Sequence, residues 1–229
     1  MNYQAIERHL PGFLRRHILH FESAIDLSLS GFAASLPPEA SVLDAGAGER
    51  VHAKYFLGQH YFAIDLAVGD AAWDYGKLDA VADLTALPFR EGSFDACINV
   101  VTLEHVREPG CALREIERAL KPGGSLLLIV PHEWEVHQSP HDYYRYTRHG
   151  LAYLLKTAGF PEFDIQPVGG YFRLISRRLL NGLQFFPGPL FFVAALFLAP
   201  PALVLPWFDS LDREQNFTLG YICTARKRS

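Results

Sequence analysis

Short apolar runs alternate with amphipathic stretches along this chain, and glycine, proline or acidic residues bound most of them. Apolar runs of strand length predict strands, whereas apolar positions that recur every three or four residues predict helices. Because the predicted strands alternate with helices and tight turns, the pattern indicates an α/β fold with a largely parallel sheet. The strand candidates are Ser41–Asp44, His60–Leu66, Ala80–Leu84, Phe94–Val101, Ser125–Val130, Phe163–Val168 and Asn216–Ala225.

Three segments carry clear helix signals. Apolar residues recur at helical spacing over Phe13–Leu36, and a second helix is predicted over Gly110–Leu120. Thr147 is a typical N-cap for a third helix that continues to Ala158, and glycine at position 159 is typical of a helix end. The first of these helices precedes the first strand candidate, and the other two fall between strand candidates, as the α/β pattern requires.

The segment Leu179–Phe208 contains no charged residue. Its most apolar part, Leu190–Ala199, corresponds to ~15 Å of helix, about half of the hydrocarbon core of a bilayer. Pro200-Pro201 is expected to break any longer helix. The sixth and seventh strands flank the segment and should pair in one sheet, which a single membrane crossing between them would prevent.

We therefore expect an apolar insertion that does not span a membrane. It would contact a membrane peripherally, cover a lipid-like acceptor, or form a homodimer interface through residues 185–208. Arg173, Arg177 and Arg178 precede the segment and would meet anionic lipid head groups in the first case.

Composition narrows the possible partners and compartment. The chain has 229 residues, with 21 lysines and arginines against 25 acidic residues, so its net charge is −4. Without a basic bias, a nucleic-acid partner is not expected. Cys97, Cys111 and Cys223 are far apart and form no CxxC motif, which favours reduced thiols in a cytoplasmic protein. The N-terminal residues lack the apolar run of a secretory signal.

A glycine-rich turn follows the first strand candidate. In Asp44-Ala45-Gly46-Ala47-Gly48, two glycines let the backbone pass close to a ligand beside an acidic residue. Taken alone, this pattern fits an NAD, FAD or S-adenosylmethionine (SAM) site, or a purely structural turn. Asp65 ends the second strand candidate, where a carboxylate can accept hydrogen bonds from ribose hydroxyls.

Further motifs follow in a fixed order. The whole set over residues 41–160 resembles the class I SAM-dependent methyltransferases, in particular the methyltransferase type 11 group. Each motif is weak alone, but chance agreement of so many spaced motifs is improbable. Beyond the glycine turn and Asp65, the motifs are Val81-Ala82-Asp83-Leu84, Leu87-Pro88-Phe89, Ser93-Phe94-Asp95-Ala96, Asn99–Val106 with its Glu104-His105-Val106, and Lys121-Pro122-Gly123-Gly124.

The resemblance implies SAM as the cofactor and a Rossmann-like, seven-stranded, doubly wound sheet whose last strand is antiparallel. It implies that Asp44 faces the amino group of the cofactor, Asp65 holds the ribose, and Asp83 accepts from the adenine amine. The full set of implied cofactor residues is Asp44, Gly46, Gly48, Asp65, Leu66, Asp83, Leu84 and Asn99.

The acceptor side is expected after the fourth and fifth strands. A hydroxyl acceptor needs a base, and the run His141–Thr147 places a histidine, an acid, three tyrosines and an arginine before a helix. Packing of that helix entry is the competing interpretation. The spacing of His132, His137 and His141 is irregular for metal ligands, so no metal ion is predicted. The catalytic candidates are His141, Tyr144, His132 and His105.

These observations predict one methyltransferase domain over residues 1–229. It would comprise an N-terminal helical segment (1–40), a SAM-binding core (41–170), a hydrophobic insertion (171–213) and a last strand (214–229). The predicted reaction is methylation, on oxygen, of an amphiphilic or lipid-linked small-molecule or glycan acceptor by a cytoplasmic protein at the inner membrane surface. A nicotinamide-dependent oxidoreductase and a non-catalytic SAM-binding protein remain as alternatives.

Overall fold

Seven strands form one sheet in the structure, a computed structural model that describes residues 17–69 and 72–229. In sheet order they run β3-β2-β1-β4-β5-β7-β6, and the β1–β2, β1–β4, β2–β3 and β4–β5 pairs are parallel. The strand order reverses between β1 and β4, and folds of this kind bind ligands in the crevice outside the carboxyl ends of the strands at this point. The strands are β1 (Ser41–Ala45), β2 (His60–Asp65), β3 (Ala80–Val81), β4 (Phe94–Val100), β5 (Leu120–Pro131), β6 (Glu162–Val168) and β7 (Gly220–Arg226).

The last strand is antiparallel to its neighbours, as the resemblance implies. The backbone N–H of Lys227, just past the end of β7, donates to the Gly124 carbonyl near the start of β5, at 2.9 Å. At the other end of β7, the Leu219 N–H donates to the Val168 carbonyl where β6 ends, at 3.0 Å. The predicted α/β fold with this mixed sheet is confirmed.

Helix bounds agree closely with the sequence prediction. The Thr147 hydroxyl accepts from the Gly150 N–H at 3.1 Å, and Gly159 has a φ of 106°, so both ends of the third predicted helix are confirmed. Residues 13–16 of the first predicted helix lie outside the described residues. The helices are α1 (His20–Ser35), α2 (Pro109–Ala119), α3 (Arg148–Ala158), α4 (Tyr171–Gly182) and α5 (Pro189–Val204).

Helix α2 forms the connection between the central strands β4 and β5. Its buried residues are Ala112, Leu113, Ile116 and Ala119, which lie on one side of a helix by their spacing. They belong to the main apolar cluster of the sheet unit, together with Leu126 and other β5 side chains. This packing fixes the carboxyl ends of β4 and β5 relative to each other.

The chain divides into two compact units. One comprises residues 25–166 and 221–229, and carries nearly all of the sheet. The other comprises residues 1–24, described here from residue 17, and 167–220. The predicted hydrophobic insertion, 171–213, falls within the second unit. The prediction that the whole chain is a single domain remains a prediction.

Helices α4 and α5 of the second unit form an antiparallel hairpin. The Ser176 hydroxyl in α4 donates to the Ala202 carbonyl in α5 at 2.5 Å. At the base of the hairpin, the Asp209 carboxylate accepts from the Gly170 N–H at 3.0 Å and from the Arg173 N–H at 3.1 Å. The two arms of the hairpin are therefore held together along their length and at the base, and the tip lies at residues 183–188.

The prediction that Pro200-Pro201 breaks the apolar helix is wrong. Helix α5 continues through both prolines and is 16 residues long, ~24 Å, followed by a 3₁₀ segment to Leu211. Proline has a φ close to that of a helix, so two backbone donors are lost while the chain direction is kept. By length and composition alone, Pro189–Leu211 could cross a membrane, with a mean hydropathy of 2.1.

We expect Leu113→Ala to lower the free energy of unfolding by about 3 kcal/mol, because it opens a cavity in the fully buried face of α2. Leu57→Ala is the matched control, since Leu57 is 88% exposed and its truncation should change stability by less than ~0.5 kcal/mol. Urea denaturation of both variants measures the difference. Equal midpoints for the two variants would contradict the packing described for α2.

Candidate active site

The glycine turn after β1 brings two loops into close contact. Gly46 has a φ of 96°, and a Cβ atom built on it would lie only 2.1 Å from Cγ2 of Thr102, the second residue after β4. The Thr102 hydroxyl donates to the Gly46 carbonyl at 3.1 Å. Gly48 also has a positive φ, of 51°, and Trp73 lies against it. Glycine is therefore required at position 46 for the ends of β1 and β4 to meet.

Asp44 is fully buried at the end of β1. The Tyr61 hydroxyl donates to its Oδ2 atom, and His52 Nδ1 lies 3.4 Å from the same atom. Burial and the adjacent Asp44 raise the pKa of Tyr61 well above its usual range, so this phenol keeps its proton and remains a donor. The Asp44 Oδ1 atom has no hydrogen-bond partner among the described residues.

Asn99 of β4 presents a second buried acceptor. Its amide nitrogen donates to the Ala45 carbonyl at 2.6 Å, which leaves its Oδ1 atom without a partner within residues 17–69 and 72–229. Buried polar atoms without partners are rare in native proteins. Two of them at neighbouring strand ends, Asp44 Oδ1 and Asn99 Oδ1, indicate a site that receives donors from a ligand, and an amino-acid ammonium group fits this chemistry.

Asp65 connects the second strand to the glycine turn. Its Oδ2 atom accepts from the Gly48 N–H at 3.0 Å, and its Oδ1 atom accepts from the Ala67 N–H at 2.8 Å. Each carboxylate oxygen can accept a further hydrogen bond, so these contacts leave capacity for ribose hydroxyls. The ribose role of Asp65 stays a prediction.

The implied adenine side lies farther along the same edge. The exposed Asp83 accepts from the Thr85 N–H and hydroxyl, both at 2.8 Å, and forms a local turn. Leu84 is buried in the core, whereas Leu66 after β2 is exposed. The structure thus places Asp44, Gly46, Gly48, Asp65 and Asn99 around one turn. The adenine roles of Asp83 and Leu84 stay predictions.

An ion pair organises the loop between β5 and α3. Both Arg145 guanidinium ends contact the nearly buried Asp142 carboxylate, at 2.6 and 2.8 Å, and the same guanidinium donates to the Trp134 and Glu135 carbonyls. The bonds from Arg145 lower the pKa of Asp142 to about 2. These hydrogen bonds therefore hold the backbone of the loop in one conformation, from which its remaining polar side chains project.

The four catalytic candidates have different surroundings. His105 Nδ1 donates to the His141 carbonyl at 2.6 Å, so these two residues are neighbours. His132 Nδ1 lies 2.7 Å from the Tyr146 carbonyl, and the Tyr144 hydroxyl donates to the Arg107 carbonyl at 2.8 Å. The structure brings His105 and His141 together, whereas Tyr144 and His132 are each bonded elsewhere. Their catalytic roles stay predictions.

Two groups of residues near the site were given no role by the sequence prediction. Tyr61 and His52 surround Asp44, but no local pattern marks them, because Tyr61 is 17 residues away from its partner. Glu104 precedes His105 and is fully buried, and His137 approaches it from the β5–α3 loop. Burial raises the pKa of Glu104 to about 8. The Glu104-His105-Val106 motif, which follows β4, was the available signal for Glu104.

Comparison with known proteins assigns this geometry to a family. Residues 43–128, which contain the glycine turn, Asp65 and Asn99, match the family model described as a methyltransferase domain. This segment is a class I SAM-dependent methyltransferase domain. The sequence resemblance, the enzyme class and SAM as the cofactor of the domain are thereby confirmed.

Relatives of this methyltransferase domain act on chemically different acceptors. A demethylmenaquinone methyltransferase from Renibacterium salmoninarum is 36% identical over 104 residues, 42% of this chain and 43% of the relative. A tRNA (carboxymethyluridine(34)-5-O)-methyltransferase from Arabidopsis thaliana is 34% identical over 110 residues, 44% of this chain and 26% of the relative. The chain thus spans less than half the length of these curated relatives.

A solved structure supports the described fold over nearly the whole chain. The 1,6-didemethyltoxoflavin-N1-methyltransferase of Burkholderia thailandensis, solved with bound S-adenosylhomocysteine, is similar at a TM-score of 0.55. The similarity covers 95% of this chain and 86% of that one, at 21% identity. Identity at this level shows a shared fold and leaves the acceptor open.

We expect Asp65→Ala to weaken SAM binding by roughly 1–3 kcal/mol, because two ribose hydroxyls would lose their acceptor. Isothermal titration calorimetry with SAM measures the change. Asp164→Ala is the matched control, since Asp164 lies on β6, the edge strand opposite to β3 in the sheet order. If Asp65→Ala binds SAM as tightly as the unchanged chain, the ribose assignment is wrong.

Proposed function

We propose that the chain transfers a methyl group from SAM to an oxygen atom of an amphiphilic or lipid-linked acceptor. The observation that carries the SAM part is the pair of buried, unpartnered oxygens on Asp44 and Asn99 beside the glycine turn. A pair of acceptors at this position suits the ammonium group of the methionine portion. The matched methyltransferase domain supports the same reading.

The residues on the cofactor side would bind SAM and orient it. Asp44 and Asn99 would accept from the ammonium group, Asp65 would accept from the ribose, and the glycine turn lets the backbone approach closely. When bound, SAM supplies an electrophilic methyl group on a sulfonium sulfur. The protein then has to place an acceptor oxygen in line with that methyl group and remove its proton.

The acceptor side would be formed by the β5–α3 loop, which the Asp142–Arg145 ion pair stabilises. His141 is the proposed base, since its ring lies in this loop with Nδ1 3.2 Å from the Tyr143 hydroxyl. Tyr144 is half-exposed on the same loop and is proposed to orient the acceptor. The ion pair between Asp142 and Arg145 would hold these groups in position.

The alternative functions are disfavoured to different degrees. A nicotinamide-dependent oxidoreductase would share the glycine turn and Asp65, but the methyltransferase match extends well beyond them, to residue 128. A non-catalytic SAM-binding protein would have the same fold. A turnover assay distinguishes an enzyme from a non-catalytic SAM-binding protein. Calorimetric titration with NAD and with SAM distinguishes a nicotinamide-dependent oxidoreductase from a SAM-dependent methyltransferase.

The lipid-linked acceptor is proposed from the α4–α5 hairpin. Only 11% of the most apolar window of Pro189–Leu211 is buried, although this window is apolar on all sides. A helix that is hydrophobic all round is normally covered by protein or lipid. The large exposed side chains of the hairpin arm and its continuation are Leu190, Phe192, Val193, Leu196, Phe197, Val204, Trp207, Phe208 and Leu211.

The proposed membrane contact is a hairpin within one leaflet. A spanning hairpin would need a polar tip on the far side, whereas the tip at 183–188 has no charged residue and exposes Phe185. The base carries Asp209, Arg173 and Arg177, which favour water. The tip would therefore stay in hydrocarbon while the base stays at the surface, consistent with a cytoplasmic enzyme at the inner membrane surface.

The arginines near the base are already paired. Arg173 Nε lies 3.1 Å from Asp209 Oδ2, and Arg177 Nη1 lies 2.9 Å from Glu22 Oε1. Anionic head groups would have to compete with these carboxylates. Membrane attachment should therefore depend mainly on apolar burial, where even about 300 Å² would contribute roughly 7 kcal/mol before immobilisation costs.

We expect His141→Ala and Tyr144→Phe to lower methyl transfer while SAM affinity stays nearly unchanged, because both side chains would face the acceptor. Transfer of labelled methyl from SAM into a bacterial lipid extract measures turnover, and calorimetry measures affinity. Tyr153→Phe is the matched control, since Tyr153 is exposed on α3. If both loop variants retain full turnover, the loop is structural.

We expect the chain to float with phosphatidylcholine vesicles in a density gradient and to remain bound at high salt. Leu196→Glu combined with Phe197→Glu should abolish flotation, because both residues are 70% exposed on α5 and charges are costly in hydrocarbon. Leu57→Glu is the matched control on the sheet unit. A chain that does not float and forms a stable dimer, which the double variant dissociates, would instead identify the hairpin as a homodimer interface.

A further inference from the structure

Glu104 is a buried carboxylate whose environment the methyl-transfer proposal does not explain. The side chain is fully buried, and neither carboxylate oxygen has a hydrogen-bond partner among the described residues. Its backbone carbonyl is bonded, since it accepts from the Tyr143 N–H at 2.9 Å and the Tyr144 N–H at 3.3 Å. Those bonds anchor the β5–α3 loop beside the carboxylate, so the loop closes over a group that still needs a partner.

Two imidazoles face this carboxylate. His105 Nε2 lies 3.7 Å from Glu104 Oε1, and His137 Nε2 lies 3.8 Å from the same atom. These separations are too long for hydrogen bonds. They are close to the ~3.4 Å that separates ligand atoms around a tetrahedral ion with bonds of ~2.1 Å. The ligand atoms of all three residues lie within 4.8 Å of one another.

The other nitrogen of each ring sets its protonation. His105 Nδ1 lies 2.6 Å from the His141 carbonyl, which can only accept, so this nitrogen carries the proton. His137 Nδ1 lies 3.1 Å from the Glu135 carbonyl and 3.6 Å from Asp142 Oδ2. The Nε2 atom of His105 therefore presents a lone pair toward Glu104, and the Nε2 atom of His137 faces the same carboxylate.

This arrangement reproduces the outer contacts of known metal sites. Histidines that bind metals donate their second N–H to a carbonyl or carboxylate, which fixes the tautomer and the ring orientation. Here the outer partners are the His141 and Glu135 carbonyls. The inner groups are the Nε2 atoms of two imidazoles and the carboxyl group of Glu104.

We propose that Glu104, His105 and His137 bind a zinc-type divalent cation and leave its fourth position open. Two nitrogens and one oxygen are a ligand set that zinc accepts in sites with an open position. The sequence prediction of no metal considered His132, His137 and His141, which have irregular spacing. The proposed set differs from it by including Glu104 and His105, which only the fold brings to His137.

The position of Glu104, His105 and His137 suggests that a bound cation would act on the methyl acceptor. This role rests on the proposed methyl transfer. Glu104 follows Thr102 by two residues, and Thr102 contacts Gly46 of the cofactor turn. A hydroxyl of the acceptor bound at the open position would lose its proton more readily, as water does on zinc. The proton would pass to His141, the oxygen would bond to the methyl carbon, and the carbon–sulfur bond would break with its electron pair retained by sulfur.

Metal binding is tested on the full chain, purified without an affinity tag or chelator. Elemental analysis should find about one zinc ion per chain, and chelator-stripped protein should regain it in a competition titration with Zn²⁺ alone. Glu104→Gln and His137→Ala should each weaken zinc binding by about 100-fold or more. His149→Ala is the matched control, since His149 is exposed on α3, and it should bind zinc normally.

The outcomes separate this inference from the proposed function. Because Glu104→Gln preserves the side-chain shape, circular dichroism and SAM calorimetry should be unchanged, so lost zinc binding reports the ligand itself. Native protein that binds SAM without zinc, or a Glu104→Gln variant that binds zinc as tightly, would overturn the metal site alone. Protein that binds zinc but neither binds SAM nor transfers methyl would overturn the proposed function and leave the site standing.

Discussion

The contact between Gly46 and Thr102 is the constraint on which the candidate site depends. A side chain at position 46 would overlap Thr102, so the turn after β1 and the segment after β4 can meet only because glycine lacks Cβ. On one side of this contact lie the cofactor-side oxygens of Asp44 and Asn99. On the other side begins the turn that carries Glu104. One close approach of the Thr102 side chain to the Gly46 backbone therefore positions both halves.

The cost of this site is visible in its unpaired acceptors. Asp44 Oδ1, Asn99 Oδ1 and both Glu104 carboxylate oxygens are buried without partners in the described part of the chain. Such atoms destabilise a fold unless a ligand satisfies them, and exceptions of this kind concentrate at functional sites. The two sets of acceptors suit different ligands. The oxygens of Asp44 and Asn99 suit an ammonium group, whereas Glu104 with its two imidazole neighbours suits a metal cation.

The hairpin unit follows a different physical rule. Its base is polar and closed by Asp209, while its arm and tip are apolar and largely exposed. Helix α5 can continue through Pro200 and Pro201 because the fixed φ of proline is compatible with a helix, so only two backbone donors are lost. The hydrogen bond from Ser176 of α4 to the Ala202 carbonyl holds this part of α5 in place. Apolar surface that the unit does not cover itself is expected to meet lipid or another apolar partner.

The sequence by itself determined the α/β fold, the strand sequence and the methyltransferase turn around Asp44 and Gly46. These features depend on local periodicity and on residues close together in the chain, which the amino-acid order records directly. The sequence did not determine the course of α5, because Pro200-Pro201 taken alone predicts a helix break. Only the tertiary structure placed His137 against Glu104 and Tyr61 against Asp44. Such contacts depend on strand order and loop path, and spacing along the chain does not encode distances through space.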